Sequence, residues 1–390
     1  MATISSYETT SGARRYRVRY RTPDRRQTDK RGFKTKRDAE AFAATVEVTK
    51  FRGEYVAPVL GKATVGDLGP GWLDRQKGVM KPSAFHSIES AWRVHVKPRW
   101  GSKSIAEIEY SSVQGWVTEL SGRRKGTLVA TAYSVLARIL DDAVRDRRIA
   151  VNPARGVKLP ARAKRKNVYL SAEQLHALAV ESGRYGSLVL LLGTAGLRWG
   201  EAAALRVGDV DFLKRRITLH ENAVMVGGDV HVGTLKTGKS RTVALPVFVV
   251  EELARTCEGK EHGALIWPAR DGGYLGPPSS HESWLSGAVE RCQAAAEAAR
   301  TKEGKEPTTP VFPRITAHAL RHTAASLAIS AGANVKVVQR MLGHSSAAMT
   351  LDVYADLFDD DLTAVADKLD VTVGKMWART SSATTQQTAK

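Results

Sequence analysis

From Arg14 the chain alternates basic and apolar residues: Arg15, Arg17, Arg19 and Arg21 are interleaved with Tyr16, Val18 and Tyr20. A period of two dictates an extended strand, with the arginines on one face and the apolar side chains on the other. Like charges on one face repel, so an all-arginine face calls for an anion to cover it. Residues 14–37 hold twelve Lys/Arg against two Asp, so no acid run nearby answers that charge. A turn at Pro23-Asp24 leads to a further strand including Gly32-Phe33. Thr35, with Asp38 three residues on, opens a helix through a variant of the capping box. Ala39, Phe42, Ala43 and Val46 supply its buried stripe. Residues 1–60 are therefore expected to form a small three-stranded sheet plus one helix.

The basic bias extends over all 390 residues: Lys+Arg 59 against Asp+Glu 40 gives a net charge of +19. Such an excess favours a polyanionic partner, either nucleic acid or an anionic membrane surface. No run of about 18 apolar residues exists to span a bilayer, and the N-terminus lacks a signal-peptide pattern. A cytoplasmic location is expected. Cys257 and Cys292 are too few for a disulfide framework or a zinc site and read as reduced thiols.

Length allows two or three domains. Residues 64–154 read as a helical domain. Pro82-Ser83 opens one helix, Pro98 and Gly101 end the segment holding Trp92 and Val96, and Ser111-Ser112 opens the next, with Val113, Trp116, Val117 and Leu120 on one face. Leu136, Ile139, Leu140 and Ala143 mark a strong helix from Leu128 to Val144, which Asn152-Pro153 is expected to stop. Residues 155–167 form a basic linker with Arg155, Lys158, Arg162, Lys164, Arg165 and Lys166, and no acid before Asn167. Such a segment suits phosphates. Ser171 with Gln174 forms a capping box that opens a mixed α+β domain over residues 168–370. Strands are expected around Ile217-Leu219, Val224-Val226 and Val243-Leu245. Helices resume at Val247, residues 297–314 loop out, and 371–390 form a disordered tail. The fold class is multidomain and mainly α.

Four groups of chemically active residues lie in order along the last domain. Arg198 sits at a Gly-flanked helix junction, with Glu201 three residues on. Lys236 lies in Gly233–Arg241, where Thr237-Gly238 reads as a hairpin turn. His318, Arg321 and His322 share one face of a helix that Thr316 caps, and His344 follows a Gly turn. Tyr354 comes ten residues later. Taken singly, each has an ordinary reading: a structural Arg–Glu pair, a solvated lysine, a core tyrosine. Together they suit metal-free attack on a DNA phosphodiester. Arginine offers a planar fork of donors to phosphate oxygens, lysine can protonate a leaving alkoxide, and tyrosine can hold phosphate covalently. His318 and His322 have the i, i+4 spacing of a metal pair, but the zinc-protease glutamate and a third ligand are lacking. Neither metal nor other cofactor is expected.

In that order these residues resemble the tyrosine recombinases, in particular phage integrases with an arm-type N-terminal DNA-binding domain. The resemblance implies that Arg198 and Arg321 clamp the scissile phosphate, Lys236 is general acid to the departing 5′ oxygen, and His318 assists proton transfer. It further implies that His344 bonds a phosphate oxygen, Tyr354 forms a 3′-phosphotyrosine and Glu201 supports the first arginine. Residues 1–60 then bind arm-type sites, the helical module binds core-type sites, and a homotetramer assembles on double-stranded DNA. A host DNA-bending protein and an excision-directing factor are further expected partners. The acidic stretch 353–370, with Leu357, Phe358, Leu362, Val365 and Leu369 at helical spacing, is expected to dock on a neighbouring subunit. Two competing readings remain: the same chemistry used for type IB topoisomerase-like relaxation or resolution, and a non-catalytic DNA-binding regulator.

Overall fold

A computed structural model describes residues 2–23, 25–51, 55–57, 59–161, 167–235, 240–279, 281–304, 306–357, 367 and 369–374. The chain divides into two compact units, Met1–Lys164 and Arg165–Lys390.

The first unit opens with an antiparallel sheet, in the order β1 (Thr3–Glu8), β2 (Arg14–Arg21), β3 (Gln27–Phe33). The alternation in β2 has its expected effect. Val18 and Tyr20 are buried, Arg19 and Arg21 are exposed, and Arg15 and Arg17 are half-buried. Arg17 Nε donates to Ser5 Oγ across the β1–β2 pair at 2.8 Å. Helix α1 (Lys36–Phe51) begins where Thr35 Oγ1 accepts the Asp38 N–H at 3.1 Å. Its Ala39 and Val46 meet Val18, Tyr20 and Tyr55 in a small core, with Phe42 and Ala43 at the edge.

The helical module contains α2 (Val65–Lys77), α3 (Pro82–Ala91), α4 (Lys97–Trp100), α5 (Tyr110–Arg123) and α6 (Gly126–Arg145). Pro98 does not end a helix here. A π-helical turn over Trp92–Val96 leads directly into α4, and Pro98 occupies its first turn, where no N–H is needed. α6 stops before Asn152. Asn152 instead ties the following chain back, its Nδ2 donating to Ala137 O at 2.8 Å and to Asp141 Oδ1 at 2.7 Å. Val129, Val135, Leu136, Ile139 and Leu140 of α6 form the middle of this core, with four buried tryptophans, Trp72, Trp92, Trp100 and Trp116, around it. In the linker, Arg155 forms an ion pair with Asp141 of α6, whereas Lys158 is exposed. Arg162, Lys164, Arg165 and Lys166 lie outside the described residues.

The second unit starts at α7 (Ala172–Glu181). Ser171 and Gln174 cap it reciprocally, as the sequence predicts. The apolar α8 (Gly186–Ala195) runs through the core and ends at Gly196 in a left-handed conformation. After α9 (Trp199–Ala203) come two small sheets. One is ordered β4 (Val210–Asp211), β5 (Arg216–Leu219), β8 (Arg241–Ala244); the other pairs β6 (Glu221–Val226) with β7 (Asp229–Thr234). This corrects the hairpin expected around Thr237-Gly238. The hairpin turn is Gly227-Gly228, and the strands flanking Lys236 belong to different sheets. Lys236 itself lies outside the described residues.

Helices α10 (Val247–Cys257), α11 (Trp284–Glu303), α12 (Ala317–Ser330), α13 (Val335–Leu342) and α14 (Ala347–Tyr354) complete the unit. α11 runs seven residues into the stretch expected to loop out, because 294–303 is rich in Ala, Glu, Arg and Lys, all strong helix formers. Glu303 then accepts the N–H groups of Thr308 and Thr309, folding the following segment back. Asp370–Gly374 form a π-helical turn where the tail was expected to begin. Both cysteines are free and buried. Among the described residues no helix is long and apolar enough to cross a membrane. Leu357 packs against the cluster containing Tyr354, Leu369 is exposed, and Phe358, Leu362 and Val365 lie outside the described residues.

Candidate active site

Two helix ends and one buried arginine organise the site. α8 and α13 both terminate in left-handed glycines, Gly196 at φ 66° and Gly343 at φ 64°, the conformation in which a Cβ is penalised. Such ends leave carbonyls that need donors and carry the negative end of the helix dipole. Arg321, on α12 and 4% exposed, supplies both. Its Nη1 donates to Gly196 O and its Nη2 to Leu342 O. The guanidinium is thus fixed between two helix termini before any substrate arrives.

Arg198 sits at the start of α9, two residues past Gly196. Its backbone N–H and its Nη1 each donate to Glu201, both at 2.8 Å, and Nη2 reaches Gly343 O at 3.4 Å. Glu201 has no exposed side-chain surface, and Arg241 from β8 meets both its oxygens, at 2.9 and 2.7 Å. The Arg241 guanidinium also lies on Gly343, where an added Cβ would come within 2.9 Å of Nε. One turn, Leu342–His344, therefore touches Arg321, Arg198 and Arg241. His344 leaves this turn with Nδ1 3.0 Å from Thr350 Oγ1 of α14. At the end of α14, Tyr354 is 2% exposed and its Oη lies 2.8 Å from His322 Nδ1. His318 is exposed on the same face of α12, its ring edge-on to His322 with centroids 5.1 Å apart.

Arg198, Glu201, His318, Arg321, His344 and Tyr354 thus come together from four segments: the start of α9, α12, the turn after α13, and α14. Residues 169–360 match the phage integrase family model, and residues 5–50 match the Arm DNA-binding domain. Residues 169–360 form a domain of the phage integrase family. The integrase of Mycobacterium phage D29 is 26% identical over 333 residues, 82% of this chain and 84% of that one. Among solved structures, the Tn1549 transposon integrase in complex with transposon right end DNA superposes with a TM-score of 0.63 at 21% identity, covering 78% of this chain and 100% of that one. A lambda integrase tetramer bound to a Holliday junction gives 0.51 at 17% identity, covering 87% and 95%. These two likenesses establish the tyrosine recombinase fold.

The integrase site is cationic and partly buried, and its acidities reflect both conditions. Burial opposes the Glu201 charge, but Arg241 and Arg198 outweigh it and hold the carboxyl at about 2. Burial, then repulsion from Arg198, lowers Arg321 to about 10, so it remains charged near neutrality. Burial and the same arginines press His344 down to about 4; His318, although its side chain reaches solvent, is also lowered, by partial desolvation of its ring and then by Arg321 and Arg198. Burial raises Tyr354 to about 12. Among the described residues no three His, Cys, Asp or Glu side chains gather as a metal site would require.

Three site residues escaped the sequence reading of roles. Arg241 appeared only as the end of the Lys236 segment. His322 appeared on the His318/Arg321 face and as half of an i, i+4 pair, with no role of its own. Thr350 gave no signal. The period-two step from Arg241 to Val243 and Leu245 was available, and it places Arg241 on the inward face of β8.

Proposed function

We propose that this phage integrase family member is a site-specific DNA recombinase that cuts and rejoins strands through a 3′-phosphotyrosine, integrating and excising a phage or other mobile element. The observation that carries the reading is the convergence of Arg198, Arg321 and His344 on the turn Leu342–His344, with Tyr354 on the next helix. Arg198 and Arg321 clamp the scissile phosphate and stabilise charge that develops on its oxygens. Glu201 fixes Arg198 from behind. Thr350 engages Nδ1 of His344, which leaves Nε2 to donate to a phosphate oxygen. His318 assists proton transfer, Lys236 protonates the departing 5′ oxygen, and Tyr354 is the nucleophile.

The arginine-bearing face of β2, the central strand of the sheet, supports an arm-site role for residues 1–60, with Arg15, Arg17, Arg19 and Arg21 against DNA. Residues 64–154 and 168–370 engage the core-type site, and the linker 155–167 follows phosphates through Lys158, Arg162, Lys164, Arg165 and Lys166, while Arg155 is already paired with Asp141. The active assembly is a homotetramer on double-stranded DNA in the bacterial cytoplasm, with a host bending protein and an excision-directing factor as accessory partners. A relaxing enzyme of the same chemistry has no use for a second DNA-binding module, and the match over residues 5–50 favours the integrase.

The test is a nicked suicide duplex carrying the element's own attachment core. The wild-type chain should form an SDS-stable covalent complex, and Tyr354→Phe should bind the duplex without forming one. A persistent adduct in Tyr354→Phe removes Tyr354 from its role. Wild-type binding with no adduct favours the regulator.

A further inference from the structure

His322 follows Arg321 on α12 and stands outside the six residues given catalytic roles above. Its Nδ1 lies 2.8 Å from Tyr354 Oη, with ring centroids 5.7 Å apart. Tyr354 is 2% exposed, and among the described residues its hydroxyl has this one hydrogen-bond partner. A buried phenol hydrogen without an acceptor is strongly disfavoured. The phenol therefore donates, Nδ1 accepts, and the ring carries its own proton on Nε2.

The groups facing this pair are His318 and Arg321 on α12, His344 from the turn after α13, and Tyr169 near Tyr354. Burial, then His318 and Arg321, holds His322 down to about 4, while burial raises Tyr354 to about 12. The resting pair is neutral, and the nucleophile keeps its proton. A phosphodiester on Arg321 offsets one of the charges that weaken His322 as a base. Substrate binding thus raises the basicity of the imidazole already bonded to the hydroxyl that must ionise.

We infer that His322 is a catalytic residue: it aligns the Tyr354 hydroxyl and takes its proton as the oxygen attacks phosphorus. The inference rests on the recombinase reading above. In the step, the Tyr354 Oη–P bond forms and the phenol proton passes to His322 Nδ1. The P–O5′ bond breaks, and the 5′ oxygen takes a proton from the acid on its own side, assigned to Lys236. In rejoining, Nδ1 returns the proton to the phenolate.

His322→Asn separates alignment from proton transfer, because its side-chain carbonyl can accept the phenol hydrogen near the Nδ1 position yet cannot be protonated at neutral pH. With the full-length chain and the suicide duplex, His322→Asn should bind normally and cleave about a hundredfold or more slowly in single turnover. Its rate should also lose the acid-side fall that protonation of His322 imposes on the wild type. A duplex with sulfur in place of the bridging 5′ oxygen has a leaving group that needs no acid. It should rescue Lys236→Ala and leave the His322→Asn defect intact. Wild-type cleavage by His322→Asn, or its rescue by the sulfur substrate, overturns the inference. Either result leaves the recombinase reading standing, whereas absence of adduct from the wild-type chain strikes that reading first.

Discussion

Glu201→Gln measures how strongly the arginine cluster depends on its one buried carboxylate. Glu201 has no exposed side-chain surface, so solvent does not screen its pairing with Arg241 and Arg198. Its carboxyl falls from an ordinary 4.5 to about 2. At about 1.36 kcal/mol for each tenfold change in acidity, the folded protein favours the ionised form by about 3 kcal/mol. The neutral amide retains the shape and some hydrogen bonds but forfeits that term. Hydrogen exchange of the full-length chain reads the loss locally: amides of α8 and α12 should exchange roughly a hundredfold faster in Glu201→Gln at pH 7, while those of α6 in the other unit stay unchanged. The acid dependence has a definite sign. A depressed carboxyl stabilises above its unfolded value of 4.5 and loses that contribution as pH falls through about 2. The gap between wild type and variant, measured by urea unfolding, should therefore be equal at pH 7 and pH 5 and should narrow below 4.5. Unchanged exchange in α8 and α12, or a gap that grows on acidification, would refute the reasoning.

Arg321→Ala should slow strand cleavage on the order of a hundredfold or more and lower the melting temperature as well, since it strands the carbonyls of Gly196 and Leu342; wild-type cleavage contradicts the clamp. Gly343→Ala should destabilise by about 1–2 kcal/mol, because φ is positive there and the new Cβ meets Arg241; an unchanged thermal melt contradicts it. Changing Arg15, Arg17, Arg19 and Arg21 together to Gln should weaken binding to arm-type DNA in gel-shift titrations and spare cleavage at the core. Equal loss at both DNA types would argue for phosphate affinity without site preference.

Local signals were the legible ones. The alternation in β2, the Ser171/Gln174 capping box and the Thr316 cap of α12 are decided within a few residues, and each appears in the structure as the sequence predicts. Arg198, Glu201, His318, Arg321, His344 and Tyr354 stood out in the sequence by residue type and order, and the structure brings them together. Pairing across distance was not. β7 and β8 read as one hairpin because both flank a Thr-Gly turn, yet their partners β6 and β5 were chosen by sheets that form elsewhere. Arg241 meets Glu201 forty residues away, and no periodicity announces that contact.

The arginine cluster has a thermodynamic consequence for the free protein. Arg198, Arg241 and Arg321 share one carboxylate, and the neighbouring histidines are held towards their neutral forms, so the empty site keeps an unbalanced positive charge. The repulsion from Arg198 that, after burial, helps push Arg321 below its ordinary value is relieved by any small anion of suitable shape. Sulfate, phosphate or pyrophosphate therefore acts as a ligand of the folded state, stabilising it in proportion to the logarithm of concentration once the site begins to fill. If Arg198 and Arg321 clamp the scissile phosphate as proposed, the same anions compete with the DNA backbone for them. A buffer that best preserves the protein is then also one that inhibits it, and the salt dependence of cleavage carries an active-site component on top of counterion release from the duplex.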